Sequence, residues 1–292
     1  MPFPPRAWTF QARMEKSMKT LEDGAAFARW LPIVPPYEKP RKLGQLELRD
    51  RAMGMNLIQD MVENLGPYID TFKWTTATQR LVRPELVKRK NEYLRDNGIG
   101  VSTGGMLERV AHQGERAVHG FLDECAELGF TIVEVSTGLS IMSLADKIRL
   151  IKAVSRHGLV PKPEVAATYG AGANKGEVYQ ASTDRIIHEC EACLDAGAPM
   201  VMIEEEGIFQ YVEERNADLA YALVRKFGLE KLMFEASDKD TFNWLIAQFG
   251  PDVNLFTDPA HATSVICYRA GIWGMSDTWN RIAGFRGPEA EA

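Results

Sequence analysis

A chain of 292 residues, 45% of them apolar and 25% charged, has the composition of a folded globular protein and lies outside the disordered regime. A formal net charge of −6, with no basic stripe, argues against nucleic acid as a partner. No stretch approaches the roughly 18 apolar residues of a membrane helix, and residues 1–10 lack the apolar core of a secretory signal. No membrane association and a cytoplasmic location are therefore expected.

Residues 1–43 read as a proline-rich N-terminal extension, with Pro2, Pro4, Pro5, Pro32, Pro35, Pro36 and Pro40 bracketing one short helix at residues 21–30. The extension is expected to pack over the domain or to contact a neighbouring subunit, so a homo-oligomer is expected. Residues 44–270 carry a different rhythm, in which short β-branched runs alternate with helical patterns of about a dozen residues. Residues 271–292 form a C-terminal tail.

The predicted strands are residues 45–50, 68–74, 99–103, 131–136, 159–165, 200–204, 231–235 and 253–257. Between them run apolar helical stripes such as Val118, Phe121, Leu122, Cys125 and Leu128. Gly98, Gly129, Gly158, Gly197, Gly228 and Gly250 stand where helices should end in a left-handed residue. Eight strands, each followed by a helix, predict an α/β fold of (β/α)8 TIM-barrel type. A dinucleotide-binding sheet is disfavoured, because the first strand leads into Arg49-Asp50-Arg51-Ala52-Met53-Gly54 and not into G-x-G-x-x-G.

The four cysteines suggest buried free thiols. Cys190 and Cys193 lie in mid-helix, without the second pair a structural zinc requires, and Cys125 lies on an apolar stripe. The histidines show no ligand spacing, and neither G-x-S-x-G nor H-E-x-x-H occurs.

The placement of charge is more informative. Strand four ends in Glu134, strand five in Glu164, strand six in Glu204 and strand seven in Glu235, each after an apolar run. Strand two carries Lys73, strand one ends in Arg49-Asp50, strand three in Ser102-Thr103, and strand eight carries Asn254. In a (β/α) barrel the carboxyl ends of the strands build the active site. Four glutamates converging there would repel one another unless a cation joined them, and several carboxylate oxygens around one cavity suit Mg²⁺. Lys73 and Arg49 would then bind a small anionic substrate beside the metal. Glu205, Glu206, Glu213 and Glu214 read as ordinary surface charge.

Several longer runs resemble the phosphosulfolactate synthase family. They are Tyr68-Ile69-Asp70-Thr71-Phe72-Lys73-Trp74, Ser102-Thr103-Gly104-Gly105, Val133-Glu134-Val135-Ser136, Val201-Met202-Ile203-Glu204, Met233-Phe234-Glu235-Ala236 and Val253-Asn254-Leu255. Lys162-Pro163 and the stretch from Gly228 to Ser237 are nearer to the branch that includes the plant heat-stress-associated 32-kDa protein, whose members have no established activity. The family resemblance implies a (β/α)8 barrel lyase that uses Mg²⁺ to add sulfite to phosphoenolpyruvate, in coenzyme M biosynthesis. For that chemistry the strand-end placement suggests Glu134, Glu164 and Glu204 as the metal-proximal set, with Glu235 orienting or completing it. Lys73 and Arg49 would hold the anionic substrate with Asp50, Ser102 and Asn254, and the backbone at Gly104-Gly105 its phosphate.

One departure stands out. The family carries a lysine after its strand-five Glu-Val, whereas here Glu164-Val165 is followed by Ala166-Ala167-Thr168. Lys162, on the same strand face as Glu164, and Lys175, in a glycine-rich loop that could act as a lid, are the candidate proton carriers. The rival readings are another Mg²⁺-assisted lyase or isomerase on a small phosphorylated or carboxylated acid, and a non-catalytic stress-related barrel that would use an apolar patch including Trp8, Phe27 and Trp30.

Overall fold

Eight short strands, nearly all buried, form the frame of the protein, seen in a computed structural model that describes residues 34–138, 140, 142–169, 179–209 and 215–272. They are β1 (Leu46–Asp50), β2 (Thr71–Trp74), β3 (Gly100–Ser102), β4 (Ile132–Val135), β5 (Val160–Val165), β6 (Val201–Ile203), β7 (Leu232–Glu235) and β8 (Leu255–Thr257). Every neighbouring pair is parallel, and β8 pairs with β1 to close the barrel. Each expected strand is present. The second begins only at Thr71, because Pro67 helps to set a 3-10 turn at Gly66–Tyr68.

The helices are α1 (Met55–Leu65), α2 (Pro84–Asp96), α3 (Met106–Ala111), α4 (Glu115–Glu127), α5 (Leu144–Arg156), α6 (Thr183–Asp195), α7 (Ala217–Phe227), α8 (Lys239–Phe249) and α9 (Ala262–Arg269). Side chains start four of them: Ser143, Ser182, Asn216 and Asp238 accept hydrogen bonds from backbone N–H groups of the first turns of α5 to α8. The six glycines expected after helices all have positive φ, a backbone region in which a Cβ is strained.

Strand side chains alternate between two environments. The outward set, including Leu46, Leu48, Phe72, Trp74, Val133, Phe234 and Leu255, packs with the helices into the main apolar core. Cys125, Cys190 and Cys193 are buried free thiols in that layer, as expected. Burial pushes Cys193 up to about 11 and raises Cys125 and Cys190 further, so they are poor nucleophiles. The inward set is mixed. Met200, Met202, Met233 and Phe256 form a separate apolar cluster inside the barrel, while Glu47, Lys73, Glu134, Lys162, Glu164 and Glu235 bring charge into the same interior.

Residues 34–43 lie along the amino-terminal end of the barrel. The Val34 N–H donates to the Ala270 carbonyl at 3.0 Å, Lys39 Nζ to Gly66 at 2.9 Å, and Arg41 Nε to Asp70 at 2.8 Å. The helix expected at residues 21–30, Trp8, Phe27, Trp30 and the tail beyond residue 272 lie outside the described residues. Among the described residues no helix is long and apolar enough to cross a membrane.

Candidate active site

Lys73 stands at the centre of the charged interior. Its neighbours in register across the sheet are Arg49 on β1 and Ser102 on β3, so it points inward near the carboxyl ends of the strands. Its ammonium lies 2.5 Å from Glu134 Oε2 and 3.2 Å from Glu164 Oε2, and 4.2 Å from the centre of the Phe256 ring. Burial alone would favour the neutral amine. Glu134, Glu164, Glu235 and Glu47 outweigh it and hold the pKa well above the ordinary value. Lys73 therefore rests as an ammonium, a form that can donate a proton but cannot take one.

The carboxylates around it are held apart in their protonation. Burial, then the charge of Glu164, pushes Glu134 up to about 8 against the pull of Lys73. Burial acts the same way on Glu164, but Lys73 and hydrogen bonds from Glu204 and Ser136 prevail and keep it below the usual range. Ser136 Oγ lies 2.7 Å from Glu164 Oε1 and 3.1 Å from Glu108 Oε2, so one hydroxyl hydrogen stands between two carboxylates. Glu108, on the short helix α3, is fixed in turn by the Ser140 hydroxyl at 2.7 Å.

A second acidic group adjoins the first. Carboxylate oxygens of Glu204, Glu206 and Glu235 all come within 4.8 Å of one another. Burial, then Glu164 and Glu235, raises Glu204 well above its ordinary value. Burial also raises Glu235, although Glu204, Lys73 and Arg49 oppose it. Glu205, whose side chain accepts from the Ser237 N–H at 3.0 Å, is pushed up to about 7, chiefly by burial. Arg49 pairs with Glu235 and, at 3.0 Å, with Asp258.

Lys73, Arg49, Glu134, Glu164, Glu204 and Glu235 thus converge on the carboxyl end, where the sequence placed them. Three expectations need correction. Asp50 does not face the mouth: Arg49 points inward, so its neighbour points outward, and Asp50 binds Lys90 of α2 at 2.5 Å and the Met53 N–H at 2.7 Å. Asn254 faces inward at the opposite end. Its amide reaches the Lys42, Leu229 and Leu232 carbonyls and accepts from the Gln45 N–H, which ties the floor of the barrel together. Lys162 also lies a layer towards that end, in an ion pair with Glu47.

The carboxylates also group differently from the set expected to hold a metal. Glu134 and Glu164 are taken up by Lys73, whereas Glu206, expected to be surface charge, joins Glu204 and Glu235. Sequence reasoning also missed Ser136, Glu108 and Glu205. Alternation carried a signal for two of these omissions, since Ser136 is two residues from Glu134 and Glu206 two from Glu204.

The remaining residues have structural accounts. Ser102 Oγ accepts from the Gly104 N–H at 3.4 Å. Gly104 has φ +61°, and a Cβ there would sit 2.0 Å from the Trp74 carbonyl oxygen; at Gly105 one would lie 3.6 Å from Glu134 Oε1. These glycines let the β3–α3 turn press against the wall of the site. Lys175 and the rest of its loop, residues 170–178, lie outside the described residues, between two short antiparallel segments, Thr168–Tyr169 and Tyr179–Gln180.

The fold and site define a (β/α)8 barrel with an acidic, lysine-centred cluster at the carboxyl ends of its strands. Barrels of known structure share the fold. A Bacillus subtilis HMG-CoA lyase superposes with TM-score 0.53 at 12% identity, covering 84% of this chain and 90% of that one. KGPDC from Streptococcus mutans gives 0.51 at 14%, covering 82% and 98%. The family model for (2R)-phospho-3-sulfolactate synthase (ComA) matches residues 35–275, and the chain belongs to that family. It is 29% identical over 266 residues to the Arabidopsis thaliana protein HEAT-STRESS-ASSOCIATED 32, covering 84% of this chain and 93% of that protein. It is 32% identical over 215 residues to a phosphosulfolactate synthase of Methanocaldococcus jannaschii, covering 70% and 82%.

Proposed function

We propose that this protein is a Mg²⁺-dependent carbon–sulfur lyase that joins sulfite to phosphoenolpyruvate, giving (2R)-phospho-3-sulfolactate. The observation that carries the reading is the group formed by Glu204, Glu206 and Glu235 beside Lys73. These are hard oxygen donors, and burial raises Glu204 and Glu235 above the ordinary carboxylate value, which is the setting a divalent cation suits. A trianionic acceptor also needs a cation here, because among the described residues the carboxylates around Lys73 and Arg49 outnumber the basic groups. Mg²⁺ in that group would act as a Lewis acid on the substrate carboxylate, where charge develops as the nucleophile adds.

The chain's own residues supply the rest. Arg49 orients the anionic acceptor from β1 while remaining tied to Glu235 and Asp258. Lys73 is the proton donor to the substrate carbon next to the carboxylate, since it is charged, rigidly placed and central. Glu134, raised to about 8 and 2.5 Å from the ammonium, is the group placed to return a proton to it, while Glu164, fixed by Ser136, stays ionised and holds the Lys73 charge in place. This assignment replaces Lys162, which is committed to Glu47 at the other end of the barrel.

A second reading, another Mg²⁺-assisted lyase or isomerase acting on a small phosphorylated or carboxylated acid, is favoured by the absence of a lysine after Glu164-Val165. Supplying phosphoenolpyruvate, sulfite and Mg²⁺ and following products by mass spectrometry separates the two. Product that requires all three supports the synthase reaction. Its absence from folded, Mg²⁺-binding protein favours the second reading.

A further inference from the structure

Among the described residues the barrel has a second opening, at its amino-terminal end, which the proposed reaction does not use. A cavity of about 460 Å³ lies there, within the range of small-molecule sites. Gln45, Thr71, Ile132, Val160, Met200 and Lys231, which line it, stand at or just before the starts of their strands. It shares no lining residue with the group around Lys73, Glu204, Glu206 and Glu235.

Glu47 gives this cavity chemical character. Its carboxylate is fully buried and lines the cavity; Oε2 pairs with Lys162, whereas Oε1 has no hydrogen-bond partner among the described residues. A buried carboxylate oxygen without a donor is unfavourable, and a ligand that brings one relieves it. The donor should be a neutral hydroxyl. Lys162 already balances the charge of Glu47, so an ammonium placed beside it would be a buried cation without a counter-charge.

The remaining walls set the rest of the ligand. Val160, Pro199, Met200 and Met233 offer apolar contact for a short carbon chain. Among the exposed lining residues Lys42 and Lys231 are accompanied by one carboxylate, Glu230, leaving one positive charge for an anion. We propose that the amino-terminal cavity binds a small hydroxy monocarboxylic acid, its hydroxyl donating to Glu47 Oε1 and its carboxylate meeting Lys42 and Lys231.

The test uses the full chain with ¹³C-methyl methionine, in the absence of Mg²⁺, titrated with 2-hydroxybutyrate or with butyrate, which lacks the hydroxyl. The expected result is saturable shifts of the Met200 and Met233 methyls with 2-hydroxybutyrate, at least tenfold weaker with butyrate. Val160→Trp, placed on an exposed rim position, should remove the response while melting at the wild-type temperature, and Lys42→Ala with Lys231→Ala should weaken it about tenfold. Equal binding of butyrate, shifts that survive Val160→Trp, or no shift at tens of millimolar 2-hydroxybutyrate each overturn the proposal.

Discussion

The two cores of this barrel follow different rules. Between sheet and helices the contacts are apolar, and the charged groups Asp50 and Lys90 enter as a pair. Inside the barrel, Met202, Met233 and Phe256 share the space with Glu47, Lys73, Glu134, Lys162 and Glu164. Even within that interior the ends differ: Lys162 and Glu47 form a one-to-one pair near the floor, whereas Lys73 faces several glutamates near the mouth. A balanced pair is compatible with structure alone. An excess of buried like charge raises the free energy of the folded state until something binds it, and so points to function.

The sharpest way to break this contrast is to remove its central charge. Lys73→Met should cost on the order of 10³-fold or more in product formation, measured by mass spectrometry, because it deletes the proposed proton donor. Lys73→Arg should rescue folding without restoring turnover, since a guanidinium does not release its proton.

At the floor the effect should fall on stability. Lys162→Met leaves Glu47 buried and unpaired and should cost about 3–5 kcal/mol in denaturant unfolding, while Lys162→Met with Glu47→Leu should recover most of it. A smaller loss, about 1–3 kcal/mol, is expected for Asn254→Ala, which strips donors from buried carbonyls at the same end.

These contrasts show what could be read from the chain. Apolar runs ending in Glu134, Glu164, Glu204 and Glu235 announced the barrel and its charged mouth, because short β-branched and apolar runs mark the buried strands of a parallel sheet. Asp50 was misplaced because adjacent residues on a strand face opposite sides, and Asn254 because it stands at the start of its strand and not at its end. Glu206 looked like one more charge in the run Glu204-Glu205-Glu206; only the bend after β6 shows that it turns back to Glu204 and Glu235. Glu108 comes from a helix, outside any strand-end rule.

Titration sharpens the comparison further. Glu134, at about 8, and Glu205, at about 7, are raised above the ordinary glutamate value of 4.5, as are Glu204 and Glu235. Between those limits the folded protein binds more protons than the unfolded chain, so stability falls as pH rises from 4.5 to about 8. Urea midpoints should decline across that window without metal, and the decline should flatten in millimolar Mg²⁺, which displaces those protons.

The central claim is that the acidic mouth costs stability and is retained to hold a cation. Thermal melting of wild type and of the double variant Glu204→Gln with Glu235→Gln, each with and without Mg²⁺ at pH 8, tests it most directly. The account predicts that the variant melts above the metal-free wild type and ignores Mg²⁺, while Mg²⁺ raises the wild-type midpoint. A variant that melts below the metal-free wild type, or that still responds to Mg²⁺, would contradict it.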